Sequence, residues 1–168
     1  MFSVSALPGD EGETIKSVVY ENSVMRWKSF RLGMTVKELE EVIGGLAFKQ
    51  SMEPFCGPSS IIGYDDKKFY FQFSGSSPDS IVLSIGIDLN HSFSGNVQPP
   101  AWTREKSISL LKQQFPDLKY FPWPKWNNQD EGERKNAYPM YILPQNDQII
   151  MGASANEVYF YNRRCFNE

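Results

Sequence analysis

The chain has 168 residues with 20 acidic against 17 basic side chains, a net charge of −3, which fits one ordinary domain with a real core and lacks the basic footprint that nucleic-acid binding requires. Hydrophobic residues at 40% and charged residues at 22% exclude a disordered chain, and no apolar run reaches the length of a membrane-spanning helix. Met1 to Thr14 has neither the basic start nor the apolar stretch of a signal peptide. The expected location is therefore the cytoplasm, with no membrane and no nucleic acid among the partners.

In chain order, the polar, acidic segment Gly9-Asp10-Glu11-Gly12-Glu13 reads as loose. Ile15 to Tyr20 alternates as a strand, and Val24 to Phe30 is placed to pair with it across Glu21-Asn22-Ser23. A short helix follows with both ends written in. Thr35 is the N-cap and Glu38, three residues on, completes a capping box; Met34 can staple onto Leu39, and Gly44 or Gly45 can end the helix. Val36, Leu39, Val42 and Ile43 form its core face, and Lys37, Glu38, Glu40 and Glu41 its solvent face.

Leu46 to Lys49 reads as a short strand and Glu53 to Pro58 as a loop. The strongest sheet signal comes next. Ser60 to Tyr64 is apolar, and Asp65-Asp66-Lys67 is a turn. Lys68 to Ser74 sets Phe69, Phe71 and Phe73 on one face. Ser80 to Asp88 sets Ile81, Leu83, Ile85 and Ile87 on one face, with Val82, Ser84 and Gly86 on the other. This greasy hairpin needs a cover, and the capped helix is the nearest candidate.

Leu89 to Ala101 is a Pro/Gly-rich linker. Thr103 then opens a second helix running to about Gln113, with Ile108, Leu110, Leu111 and Phe115 as its apolar residues. Leu118 to Phe121, Tyr138 to Leu143, Gln148 to Gly152 and Glu157 to Tyr161 complete a second set of strand-like runs. The expected class is α+β: an antiparallel sheet covered by short helices, in a single domain over residues 1–168. The order of a helix and then up to four strands occurs twice, so a tandem repeat is expected, with halves 15–88 and 102–162 joined by the linker 89–101.

Gly33-Met34-Thr35 followed by Glu38, Val42 and Gly44 resembles the helix start of the small outer-membrane lipoprotein family that assists barrel assembly. The helix-plus-sheet unit is similar to that of the β-lactamase inhibitor proteins. In size, acidity and lack of catalytic equipment the chain also resembles the small immunity proteins that bacteria make against contact-delivered toxins. Each resemblance implies a protein that works by binding another protein.

The chain's reactive side chains point the same way. His91, in Asp88-Leu89-Asn90-His91-Ser92, is the only histidine. Cys56, His91 and Asp88 can be drawn as a triad, but no local context fixes their geometry, and a loop histidine and a buried thiol are the simpler reading. Cys56 and Cys165 are far apart and not at metal-ligand spacing, so free thiols in a reducing compartment are expected, with no zinc site. No phosphate-binding glycine loop occurs. Neither a cofactor nor an enzymatic activity is expected.

Two features suit binding. Phe121-Pro122-Trp123-Pro124-Lys125-Trp126 holds Trp123 and Trp126 in a stiff segment, either as an exposed hot spot or as a plug for the second sheet. Asp65-Asp66, Glu38-Glu40-Glu41 and Asp130-Glu131-Glu133 suit a basic partner by steering, or are simply a solvated turn, helix face and loop. Three hypotheses follow: a neutralising protein that forms a stoichiometric complex with a basic toxin domain, such as a nuclease; an envelope-assembly adaptor; and a cysteine hydrolase using Cys56.

Overall fold

A computed structural model describes residues 16, 18–27, 29–44, 49–50, 56, 59–63, 69–88, 103–122, 139–154 and 157–166. Among the described residues the fold is α+β, with two helices longer than one turn and two antiparallel sheets. The smaller sheet is a meander of β1 (Val19–Glu21), β2 (Val24–Trp27) and β3 (Phe30–Arg31). Asn22 and Ser23 turn between β1 and β2 with φ of 52° and 63°, the doubly left-handed backbone that suits the twist of a two-residue hairpin. The first strand is shorter than the alternation from Ile15 predicts, since Lys16 is helical.

Helix α1 (Val36–Ile43) carries the predicted caps. The Glu38 amide donates to Thr35 Oγ1 at 3.1 Å, and the Thr35 amide donates to a Glu38 carboxylate oxygen at 2.7 Å. Gly44 ends the helix with φ of 78°, its N–H donating to Glu40 O at 2.9 Å. Met34, Val36 and Leu39 are buried, but Val42 is 40% exposed. At about 100° per residue Val42 falls at the border of the face that Val36, Leu39 and Ile43 define.

The larger sheet runs β4 (Lys49–Gln50), β5 (Ser59–Gly63), β6 (Phe69–Phe73), β7 (Val82–Asp88), β11 (Glu157–Asn162), β10 (Asn146–Ala153), β9 (Met140–Leu143), β8 (Lys119–Tyr120) in spatial order. Six longer strands are thus flanked by a two-residue strand at each edge. Helix α2 (Arg104–Gln114), with Thr103 as N-cap, precedes β8. Each helix is followed in the chain by four strands that lie as consecutive neighbours, and the two series meet where β7 pairs with β11, Phe160 opposite Ile85.

One face of this sheet presents Phe71, Phe73, Ile85, Ile87, Met151, Val158 and Phe160 to a core shared with Val18, Met25, Phe30, Leu39, Leu111 and Phe115. The cover of the greasy hairpin is therefore wider than the one helix predicted: α1 is joined by α2 and the small sheet. The entry to α1 is tied to β7 through backbone bonds: Gly33 N to Val82 O at 2.9 Å, Val82 N to Met34 O at 2.8 Å and Val36 N to Ser80 O at 2.7 Å.

The face assignment of β7 needs correction. Gln72 pairs with Ser84 but Phe73 pairs with Val82, so Leu83 is an extra residue in the ladder. Such a bulge reverses the alternation beyond it. Val82 consequently joins Ile85 and Ile87 in the main core, while Ile81 and Leu83 belong to a second cluster with Met140, Ile150, Tyr159 and Tyr161 on the opposite face.

Candidate functional site

Of the residues that the sequence singles out for binding, Asp65, Asp66, Trp123, Trp126, Asp130, Glu131 and Glu133 lie outside the described residues, as does His91. Cys56 is described, and it corrects an expectation. Rather than two free thiols, Cys56 and Cys165 form a disulfide, with Cα atoms 4.5 Å apart and a sequence separation of 109. Both are buried. Cys165 lies in a 3-10 turn (Arg163–Phe166) directly after β11, so the bond staples that turn to the segment before β5. While the bond is intact Cys56 offers no thiolate for nucleophilic attack. Linear spacing could not show that the fold brings these two positions together.

Among the described residues, no group of three or more His, Cys, Asp or Glu side chains is placed to hold a metal ion, and no helix is long and apolar enough to cross a membrane. What the fold does build is a cleft of about 350 Å³ where β1, the end of α2 and the β9–β10 turn meet. Val19, Tyr20 and Glu21 form one wall and Gln114 to Asp117 the other; Leu143 and Gln145 close the third side.

Each wall has a local cause. Tyr20 is held on β1 by its pairing with Met25, whose side chain is sunk in the core. Phe115 caps α2, its N–H donating to Leu111 O at 2.8 Å, and the chain then turns through Pro116 and Asp117, bringing a carboxylate beside the helix end. Leu143 and Asn146 flank the two-residue turn Pro144-Gln145, which pushes Gln145 outward.

Polar bonds lace the walls together. Gln114 Nε2 donates to Val18 O at 2.8 Å, the Tyr20 hydroxyl to Gln145 O at 3.5 Å, and Asn146 Nδ2 to Ser23 O at 3.1 Å. Gln145 Nε2 donates to Asp117 Oδ2 at 3.5 Å. The cleft is thus apolar in its depth, at buried Phe115 and Leu143, with Val19 at 39% exposure on its lip and two carboxylates, Glu21 and Asp117, on its rim.

Its electrostatics favour a cation. The last carbonyls of α2 add a partial negative charge at this end of the helix. Lys112, the basic residue of that last turn, is directed elsewhere, over the Tyr141 ring at 5.2 Å. Burial pushes the Tyr141 hydroxyl above its usual pKa, with a further contribution from Tyr120, so this ring stays neutral beneath the lysine. Sequence reading missed the cleft because its walls come from three segments without a motif.

A shallower groove of about 460 Å³ follows the outer side of α2 past Ile108 and Lys112. It has only one element as a wall. Comparison with protein-family models, with curated proteins and with solved structures returned no match.

Proposed function

We propose that the protein works by stoichiometric binding of another, more basic protein, and that neutralising a toxin domain is the activity this equipment serves best. The observation that supports the reading is the cleft at Tyr20, Phe115 and Asp117, which combines an apolar floor with an acidic rim. Apolar anchors carry lasting affinity, while rim charges mainly raise the encounter rate and select the partner's sign. The net charge of −3 adds to the same preference.

The disulfide bears on where this happens. Free thiols would suit the reducing cytoplasm, whereas a Cys56–Cys165 bond favours an oxidising compartment. A nuclease partner would place the complex in the reducing cytoplasm; a toxin domain acting outside it suits the paired cysteines. Affinity capture with the full chain from its native host tests the function. The expected result is one predominant, more basic protein recovered at one-to-one stoichiometry. Recovery of no protein partner contradicts the reading.

A further inference from the structure

We infer that the edge of β1 at Tyr20, unpaired among the described residues, accepts an extended, basic segment of a partner protein as an added strand, an inference that rests on the protein-binding reading above and gives it a mode. The starting point is ladder parity. Glu21 and Val24 flank the two-residue turn, so in an antiparallel hairpin they exchange both backbone bonds with each other. Tyr20 and Met25 are then a pair without ladder bonds, and Tyr20 aims its N–H and C=O away from β2.

An independent contact fixes that direction. Val18 has the same parity as Tyr20, and its carbonyl accepts Gln114 Nε2 across the cleft at 2.8 Å. β1 is the outer strand of its sheet, in the order β1-β2-β3. Among the described residues, no hydrogen bond engages the outward backbone groups of Tyr20.

The edge therefore has what strand addition uses: main-chain donors and acceptors for affinity and adjacent side-chain sites for selection. Unpaired edges in native sheets are commonly guarded by charge or covered. Here the guard is acidic, Glu21 on the strand and Asp117 across from it, so it repels an acidic segment and admits a basic one. A guest strand lying against Tyr20 gains two backbone bonds. It sets alternate side chains toward Phe115 and toward the carboxylates, and the Gln114 amide yields Val18 O if the guest extends that far.

The test uses a random twelve-residue peptide library selected against the full chain, followed by binding and amide hydrogen exchange on the selected peptides. Expected are sequences rich in Lys or Arg with β-branched residues. The double substitution Glu21→Lys and Asp117→Lys should weaken them by at least roughly tenfold. The Tyr20 amide, which faces out and exchanges fast in the free protein, should slow by about tenfold or more in the complex, while the inward amides of Val19 and Glu21 are protected in both states.

Selection of no peptide, equal binding to the doubly substituted protein, or an unchanged Tyr20 amide overturns strand addition. The two levels remain separable. A native partner that binds while Tyr20 exchanges freely leaves the protein-binding reading standing and removes its mode. Peptides bound at Tyr20 with no native protein partner keep the edge site and remove the function.

Discussion

The ring of Tyr159 packs over Gly152, its cross-strand partner on β10, so closely that a Cβ on Gly152 would fall 2.1 Å from Cε2 of the ring. The same arrangement recurs two strands away, where the Tyr70 ring occupies the space over Gly86 and would meet its Cβ at 1.8 Å. Tyr159 is itself opposite Gly86. One row of the sheet thus alternates aromatic and glycine across four strands, β6, β7, β11 and β10.

Gly152→Ala should therefore destabilise the fold by about 1 to 3 kcal/mol, because the buried Tyr159 ring must leave its rotamer or the strands must part. Gly86→Ala should act in the same direction. Chemical denaturation of both variants checks this, and unchanged midpoints would mean that the rings move at no cost.

Reduction of the Cys56–Cys165 bond, or Cys165→Ser, should cost about 2 to 5 kcal/mol, since the bond closes a loop of 109 residues and removes much of the unfolded chain's freedom. Alkylation of denatured protein taken from its native compartment, without reductant, should label neither cysteine. Labelling of both would place the resting protein in a reducing compartment and restore the nuclease reading.

The first helix allows a test of local energetics and of pH. Thr35→Ala should cost about 1 kcal/mol by removing the cap, and Leu39→Ala about 2 to 5 kcal/mol, since Leu39 is fully buried. A backbone hydrogen bond from Thr35 lowers the Glu38 pKa below its ordinary value of 4.5; burial opposes this, and the Thr35 hydroxyl and the Arg31 guanidinium add to the lowering. A carboxyl with a depressed folded-state pKa contributes fully above its unfolded value and loses that contribution as the pH falls through the folded one. The capping contribution should thus be complete at neutral pH and fade below about pH 4.5. Glu38→Gln should lower stability at pH 7 and flatten the acid limb of the profile; an unaltered limb would separate Glu38 from the pH response.

How far the sequence carries is plain at particular residues. Thr35, Glu38 and Gly44 are legible because capping is local: the interacting groups lie within four residues. Both helices and the strand series are legible for the same reason, since periodicity is a local signal. Leu83 lies on the face opposite to the one its alternation predicts, because a bulge depends on the partner strand, here at Phe73 on β6, and leaves no trace in β7 alone. The Cys56–Cys165 bond and the cleft at Tyr20 were missed because both are products of topology. The cleft joins residues 19–21, 114–117 and 143–145, and its most telling feature, the outward N–H and C=O of Tyr20, is a property of ladder parity rather than of side-chain type.

The most direct test of the central claim is the association rate of the full chain with the protein that its native host supplies, measured across a salt series for the parent and for the Glu21→Lys, Asp117→Lys variant. A basic partner steered to an acidic rim should bind more slowly as salt rises, with a Debye length shrinking from about 10 Å at 0.1 M to about 3 Å at 1 M. The charge-reversed chain should associate at least roughly tenfold more slowly at low salt and lose most of the salt dependence. A one-to-one complex whose on-rate ignores both salt and charge reversal at Glu21 and Asp117 would contradict the account.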